Sequence, residues 1–396
     1  MVSAQLTASN KANPRILPRG NMVLRACRAS ASASLIIVTR NGRQCCRAAA
    51  GIALLVPRMN ETLVLPGWKC SGLIVVRVGL LLALMSVGHA QECFSGSEID
   101  TPTARVVRSA AQQYFNMSVQ GDVAGLKANA LPAIAANFGG IESAVVSNKQ
   151  YFAQEQPTET RIFVLDATNS KATWQRADFY CGIYNSPDRV GFAIPNLPPG
   201  RYAITMAKVG GKDPVTLTLI LADDGKNSWK LAGYYARRNS IGDHDGQWFL
   251  SKAREFKAKG QTLNAWFYYL TAWDLLAPVD FMSTPQLDKI TDEIQASRPP
   301  NLPNASAPLE LNAGGKSFKV EELAAVSVGP DFDLRVKYVT PDASNSAVAS
   351  QENAAMMKAL LAKYPELRDA FVTLIARATD NAGHDYGTLT PIKDVK

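Results

Sequence analysis

The tetrapeptide Asp243-His244-Asp245-Gly246 carries the residue types most typical of catalysis in this chain. A histidine between two carboxylates can act as a general base with a raised pKa, or contribute two metal ligands together with a neighbour. Adjacent side chains point in different directions, however, and Asp245 precedes a helical pattern that it can cap. We therefore interpret the tetrapeptide as a loop and a helix cap, and keep catalysis by His244 as the alternative.

Cys181 and His244 are the residue types of a thiol nucleophile and its base. No known catalytic signature surrounds Cys181, which lies in a predicted strand between Tyr180 and Gly182. This context favours a disulfide or a core position. Two cysteines and two histidines in the mature chain cannot build a zinc site without several carboxylates. Phosphate-binding glycine loops, serine-nucleophile elbows and HExxH are absent from the sequence, so we predict no metal and no cofactor.

The run RVGLLLALMSVGHAQEC, residues 77–93, places ten uncharged residues behind Arg77 and ends its apolar part in Gly88-His89-Ala90. A basic flank, a short apolar core and a small-x-small tripeptide are the parts of a secretory signal peptide. A membrane-spanning helix needs about 20 apolar residues. The sequence therefore predicts cleavage between Ala90 and Gln91.

A start at Met59 would place this apolar core about twenty residues into the chain, within the usual range for a signal peptide. Residues 59–90 are thus the predicted signal peptide. Residues 1–58 contain no acidic residue and many arginines, and we interpret them as translated upstream DNA or, alternatively, as a transit-like segment. A lipid anchor on Cys93 is disfavoured because Gln91 and Glu92 precede it.

The net charge of +8 belongs to the leader. Residues 1–90 hold nine arginines and two lysines against the single Glu61, and the remaining 31 basic and 33 acidic residues give −2. Nucleic acid is therefore not expected as a partner. Only Cys93 and Cys181 remain after cleavage, and an oxidising compartment favours a disulfide between them. A buried thiol at Cys181 with a free Cys93 is the alternative.

The mature chain of about 306 residues is longer than a single hydrophobic core usually accommodates, so several domains are expected. We predict an α+β domain at 91–238, a helical hairpin or bundle at 239–297, a proline-rich linker at 298–308 and an α+β module at 309–396. The linker sequence RPPNLPNASAP favours an extended spacer. In the last module, PELRDAF is predicted to open a helix through Ala378, and the tail LTPIKDV to return as an edge strand.

Residues 100–152 have helical spacing, and six strands separated by turn signals follow in succession from Pro157 to Arg238. Helices before a long antiparallel meander, closed by WKLAGYY at 229–235, resemble the NTF2-like cone of small secreted bacterial proteins. The stretch FAIPNLPPGRYAITM at 192–206 resembles instead a transthyretin-like carboxypeptidase regulatory domain, but the preceding helices do not fit that sandwich.

The NTF2-like resemblance implies a curved sheet around an apolar pocket. Four aromatic residues are its candidate lining: Trp174, Phe179, Trp229 and Tyr234. NTF2-like cones also host isomerases and hydrolases that place an Asp or His in the cone. Here the nearby candidates are Asp166, Asp178 and His244, and none has an evident partner.

The stretches DGQWFLSKAREFKAKG and TLNAWFYYLTAWDLLAP form a predicted helical hairpin similar to one TPR-type unit. The second helix carries five aromatic residues, of which Trp266, Tyr269 and Trp273 lie on its predicted core stripe. Phe267 and Tyr268 lie off that stripe, and we expect them to face the first domain or a partner.

Together these features predict an exported, non-enzymatic binding or assembly protein in the periplasm or outside the cell, with an organelle lumen as the alternative location. Its partner is a small molecule or a protein, and no membrane span is expected in the mature chain. The alternative function is a pocket enzyme of isomerase or hydrolase type.

Overall fold

A computed structural model describes residues 92–153, 155–183, 186–226 and 228–396. In these ranges it confirms a mixed α+β fold, with eight helices and several open sheets. The predicted leader, signal peptide and Ala90–Gln91 cleavage site lie outside the described residues. Helices α1 to α8 span Thr101–Gln120, Val123–Ala128, Pro132–Ala135, Gly139–Phe152, Gly246–Ala258, Thr262–Leu276, Pro285–Ala296 and Ser346–Lys363. Strands β1 to β15 span Glu92–Ser95, Pro157–Asp166, Trp174–Cys181, Val190–Leu197, Arg201–Val209, Val215–Asp223, Trp229–Arg238, Ser240–Ile241, His244–Asp245, Met282–Ser283, Leu309–Ala313, Lys316–Val328, Asp331–Val339, Thr373–Thr379 and Asp385–Pro391.

The first five-stranded sheet, here called the N-terminal sheet, has the order β1-β2-β5-β6-β7. Helices α1 to α4 cover one of its faces, with Tyr114 and Phe115 of α1 packed against Leu217 and Leu219 of β6. Asp100 caps α1 through the amide of Thr103. The apolar stripe of α1 thus forms a core with the inward side chains of the sheet.

The β3–β4 hairpin leaves this sheet, so the predicted continuous meander is wrong at this point. Strand β2 pairs with β5, and β3 and β4 form a separate three-stranded sheet of order β10-β4-β3, the hairpin sheet. Residues 215–222 of β6 are buried without alternation, because both faces of the N-terminal sheet need cover. Phe179 and Phe192 of the hairpin sheet supply that cover on the second face.

A disulfide between Cys93 and Cys181 confirms the predicted pairing, with 5.1 Å between the Cα atoms. Cys93 lies on β1, at the edge of the N-terminal sheet, and Cys181 lies at the end of β3. The bond therefore fastens the two sheets to each other.

Helices α5 and α6 form the predicted hairpin, which turns at Gly260 with a φ of 75°. The pair shares one core with the C-terminal residues. Phe332 lies 4.9 Å from Phe249 of α5 and 5.0 Å from Tyr268 of α6, between ring centroids. Leu302, in the predicted linker, also packs against this core.

The second five-stranded sheet, the C-terminal sheet, has the order β11-β12-β13-β14-β15. Gly314 and Gly315 take positive φ values, as the tight turn between β11 and β12 requires. Strands β13 and β14 are parallel and α8 connects them. The predicted helix through Ala378 is wrong: a 3-10 turn at Pro365–Asp369 precedes β14, because TLIARAT alternates between buried and half-buried residues as a strand does.

Candidate functional site

The four aromatic residues of the predicted pocket do not line one cavity. Trp174 and Phe179 lie on β3, with ring centroids 6.5 Å apart, in the core between the two N-terminal layers of strands. Trp229 and Tyr234 lie on β7 and pack against the helices on the opposite face of the N-terminal sheet. Burial raises the pKa of Tyr234 to about 12. The displaced hairpin separates the two pairs, and each pair belongs to a packed core.

Phe267 and Tyr268 correct the prediction of an aromatic interaction surface on α6, since both are buried. The Tyr268 hydroxyl donates a hydrogen bond to the carbonyl oxygen of Ala370 at 2.6 Å. Phe267 contacts Phe371 edge to face. The partner of these aromatic residues is thus the C-terminal part of the same chain, which the sequence pattern did not indicate.

The three residues of the predicted pocket enzyme lie in three separate environments. Asp166 accepts hydrogen bonds from Thr168 in a turn, and Asp178 forms an ion pair with Arg176 on the outer side of β3. His244 is exposed and stacks on Trp248 with 3.6 Å between ring centroids. The structure brings none of the three together.

Asp245 and Cys181 follow the non-catalytic interpretation. The Asp245 carboxylate accepts a hydrogen bond from the Trp248 amide at 2.8 Å, which confirms it as the cap of α5. Cys181 is held in the disulfide and offers no thiol. A concave surface lies elsewhere, along the polar side of α1 at Arg105, Arg108 and Gln112.

Asp342, Asp380 and His384 are brought together in the loops that follow the parallel strands β13 and β14. Ligands of open α/β sheets commonly bind beyond the carboxyl ends of parallel strands. His384 Nδ1 lies 2.8 Å from Asp380 Oδ2, which also accepts the Ala343 amide at 3.0 Å. Asp380 Oδ1 accepts the amides of Ala382 and His384.

These four hydrogen bonds use the roughly four lone-pair directions that a carboxylate offers. The hydrogen bond from the Ala343 amide, the largest cause, and those from His384 hold the pKa of Asp380 well below its usual range. A cation would have to displace one of these donors to bind Asp380. The arrangement therefore fits a clamp that fixes the loop between β14 and β15, here called the Asp380 clamp, better than it fits a metal site.

The C-terminal sheet presents one uncovered face among the described residues. Its inward side chains, such as Leu334, Val336 and Tyr338, pack against α8 and the α5–α6 pair. The strand register places two rows of side chains on the outer side, here called the open face. One row is Ala324, Arg335, Ile375 and Leu389, and the next is Glu322, Lys337, Arg377 and Gly387.

Charged and apolar side chains lie side by side on the open face. Glu322 accepts from the guanidinium of Arg335, and Arg377 pairs with Asp385. Leu389 is 58% exposed beside the half-buried Ile375. An exposed leucine beside a rim of paired charges is compatible with a protein interface, which has an apolar centre and a polar rim. In the sequence, the alternation of FDLRVKYVT at 332–340 indicates a strand with one polar side.

Comparison of the chain with protein-family models, with curated proteins and with solved structures found no match in any of the three. In the described part of the chain, no helix combines the length and the apolar character that crossing a membrane requires.

Proposed function

We propose that the chain is an exported, non-enzymatic binding or assembly protein that meets a protein partner through the open face of its C-terminal sheet. The observation that carries the proposal is the uncovered outer side of five strands, on which Ile375 and Leu389 adjoin paired charges. Helices or a second sheet cover both faces of the N-terminal sheet. The C-terminal sheet lacks such a layer among the described residues, and a partner would supply it.

Export is supported by the Cys93–Cys181 disulfide, because such bonds persist in oxidising compartments. The predicted signal peptide and the near-neutral charge of residues 91–396 point the same way. Periplasmic or extracellular location is thus part of the proposal.

An NTF2-like origin of residues 100–238 also belongs to the proposal. Helices that precede a sheet and pack on one of its faces support it. The β3–β4 hairpin, which covers the other face, departs from an open cone. The rival function, a pocket enzyme, finds less support because Asp166, Asp178 and His244 are far from forming one site.

Site-specific photo-crosslinking in intact cells tests the open face. A benzoylphenylalanine at position 375 is expected to form an adduct with a protein, whereas the same residue at position 146 is not. Val146 is the control because it is exposed on α4, away from the C-terminal sheet, and so is at least as accessible to a crosslinking partner as position 375. An adduct at both positions, or at neither, would contradict a binding surface on the open face.

A further inference from the structure

Strand β15 is an edge strand whose outer side meets no other strand among the described residues. Two hydrogen bonds bracket its pairing with β14: the Asp380 amide donates to the carbonyl oxygen of His384, and the Ile392 amide to that of Val372. In an antiparallel pair, the residues that bond across the ladder alternate with residues that do not. Even-numbered residues of β15 therefore bond to β14.

The odd-numbered residues direct their backbone groups away from the sheet. Asp385, Gly387 and Leu389 each offer an N–H and a C=O on the free side, and Pro391 offers only a C=O. Natural proteins protect such edges with charges, prolines, bulges or short strands, since an open edge is a template for another strand. On β15 the one charge, Asp385, and the one proline, Pro391, stand at the two ends of the strand, and the five residues between them carry neither.

Three other edges of the described sheets carry some protection. The Leu131 amide donates to the Leu231 carbonyl oxygen, and the Leu231 amide to that of Asn129, which closes part of the β7 edge. Arg176 and Asp178 place charges on β3. Strand β11 is only five residues long and carries Glu310. The β15 edge differs from these three in that its middle carries neither a charge nor a pairing segment.

We infer that β15 pairs antiparallel with β15 of a second copy of this chain, about a two-fold axis at Thr388. In this register Gly387 of each copy lies opposite Leu389 of the other, and Asp385 lies opposite Pro391. Every outward N–H then has a carbonyl acceptor: those of Gly387 and Leu389 bond reciprocally, and that of Asp385 bonds to the C=O of Pro391.

The side chains fit this pairing as well as the backbone does. Leu389, which is largely exposed in one copy, would cover the position where Gly387 of the second copy has no side chain. The antiparallel direction separates the two Asp385 carboxylates, which parallel pairing in register would place side by side. Asp385 is the sole charged residue of β15, so no like charges oppose each other in the antiparallel arrangement.

Self-pairing of one surface about a two-fold axis is the commonest closed symmetry of soluble oligomers. It would join the two C-terminal sheets into one sheet of ten strands and make the two open faces continuous. This inference deepens the proposed function by naming a second copy as one partner, and it rests on that proposal only in treating the C-terminal sheet as the interaction surface.

Cysteine at position 388 tests the register. Directly opposite residues outside the hydrogen-bonded pairs have Cα atoms about 4.5 Å apart, which is within the range for a disulfide. The T388C full chain is expected to form a covalent dimer on oxidation that reductant dissolves. N312C on the β11 edge is the matched control and is expected to remain monomeric under the same conditions.

Sedimentation of the purified full chain supplies the second measurement, which does not depend on how T388C folds. Wild type is expected at twice the chain mass. Leu389→Pro is expected at the monomer mass with its secondary structure retained, because that N–H points away from β14. A monomeric wild type would overturn the inference. The inference would also be overturned if wild type were a dimer, L389P remained a dimer and T388C formed no crosslink.

These outcomes separate the inference from the proposed function. A monomeric wild type that still forms an adduct from position 375 with another protein would remove self-pairing and leave binding by the open face in place. A dimer without any adduct from position 375 would do the reverse.

Discussion

The two five-stranded sheets of this chain bury their side chains in different ways. In the N-terminal sheet, β6 is buried on both sides from Val215 to Ala222, between the helices and the hairpin sheet. In the C-terminal sheet, β14 alternates strictly between buried and half-buried residues. A strand with a continuous apolar run indicates cover on both faces, and an alternating strand indicates one wet face. The contrast shows that, among the described residues, the C-terminal sheet has one face without a covering layer and the N-terminal sheet has none.

The helical pair α5–α6 belongs to the C-terminal side of this contrast, and Phe332 is the residue that tests it. Phe332→Ala is expected to lower the free energy of unfolding by about 3–5 kcal/mol, the usual cost of truncating a packed aromatic residue. Its ring lies within 5.2 Å of that of Phe371 as well as close to both helices. Urea unfolding followed by tryptophan fluorescence measures the change, since Trp248, Trp266 and Trp273 lie on the pair.

Val146→Ala, at an exposed position on α4, is the control and is expected to change little. If F332A and V146A unfolded at the same urea concentration, the helical pair would not depend on the C-terminal sheet for its core.

Removal of the disulfide tests the N-terminal sheet, because the Cys93–Cys181 bond joins β1 to the hairpin sheet that covers it. The double variant C93S/C181S is expected to lose about 2–5 kcal/mol of stability, as is typical when a native disulfide is removed. Urea unfolding with and without reductant measures it. Reductant is expected to destabilise wild type and to leave the double variant unchanged. Equal unfolding curves for wild type in both conditions would refute a stabilising role.

Local patterns predicted much of this architecture. The strands of residues 157–238, the α5–α6 hairpin with its Asp245 cap and the Cys93–Cys181 bond are all present. These features depend on alternation, helical spacing, caps and a count of cysteines, which short stretches contain.

Local patterns did not predict which strands pair with each other or which helices and loops pack together. The stretch TRIFVLDA, residues 160–167, does not itself indicate that β2 pairs with β5 and skips β3. The second apolar face of the N-terminal sheet, which the β3–β4 hairpin covers, exists only after that sheet has formed. The same holds for Phe267 and Tyr268, whose partners lie about a hundred residues away. The Asp380 clamp depends on loops that meet only through the parallel pairing of β13 and β14.

The ion pair between Arg254 of α5 and Glu293 of α7 is expected to contribute less to the stability of the C-terminal part than Phe332 does. Arg254 binds Glu293 through two hydrogen bonds of 2.7 and 3.0 Å, and the Glu293 side chain is only 18% exposed. Glu293→Gln is expected to cost about 1.5–3 kcal/mol, because hydrogen bonds to charged groups are worth about that much. Glu255→Gln is the matched control, since its partner Lys252 lies on the same exposed helix side.

Thermal unfolding of both variants is the measurement. The Arg254 hydrogen bonds lower the pKa of Glu293, so its contribution is complete above the ordinary carboxyl pKa and is lost as the pH falls through the lowered value. The difference between wild type and E293Q is therefore expected to shrink in acid. Equal effects of E293Q and E255Q at neutral pH would contradict a partly buried ion pair.

The smallest expected effect concerns the Asp380 clamp, which holds the loop that leads into β15. Asp380→Asn replaces an oxygen acceptor by an amide donor opposite the donors of Ala343 and His384, and is expected to lower the melting temperature slightly at neutral pH. The folded state lowers the pKa of Asp380. Its contribution is thus present above the ordinary carboxyl pKa and disappears as the pH falls through the folded value.

Melting temperatures of wild type and D380N should consequently converge in acid, with the exposed Asp331→Asn as the control for general charge effects. Because the clamp precedes the free edge, D380N is also expected to weaken self-pairing more than D331N does in sedimentation at neutral pH. A D380N chain that melts and sediments like D331N would show that the strand pairing with β14 alone fixes β15. In that case the C-terminal sheet alone, and not the loop between β14 and β15, would fix the position of the β15 edge.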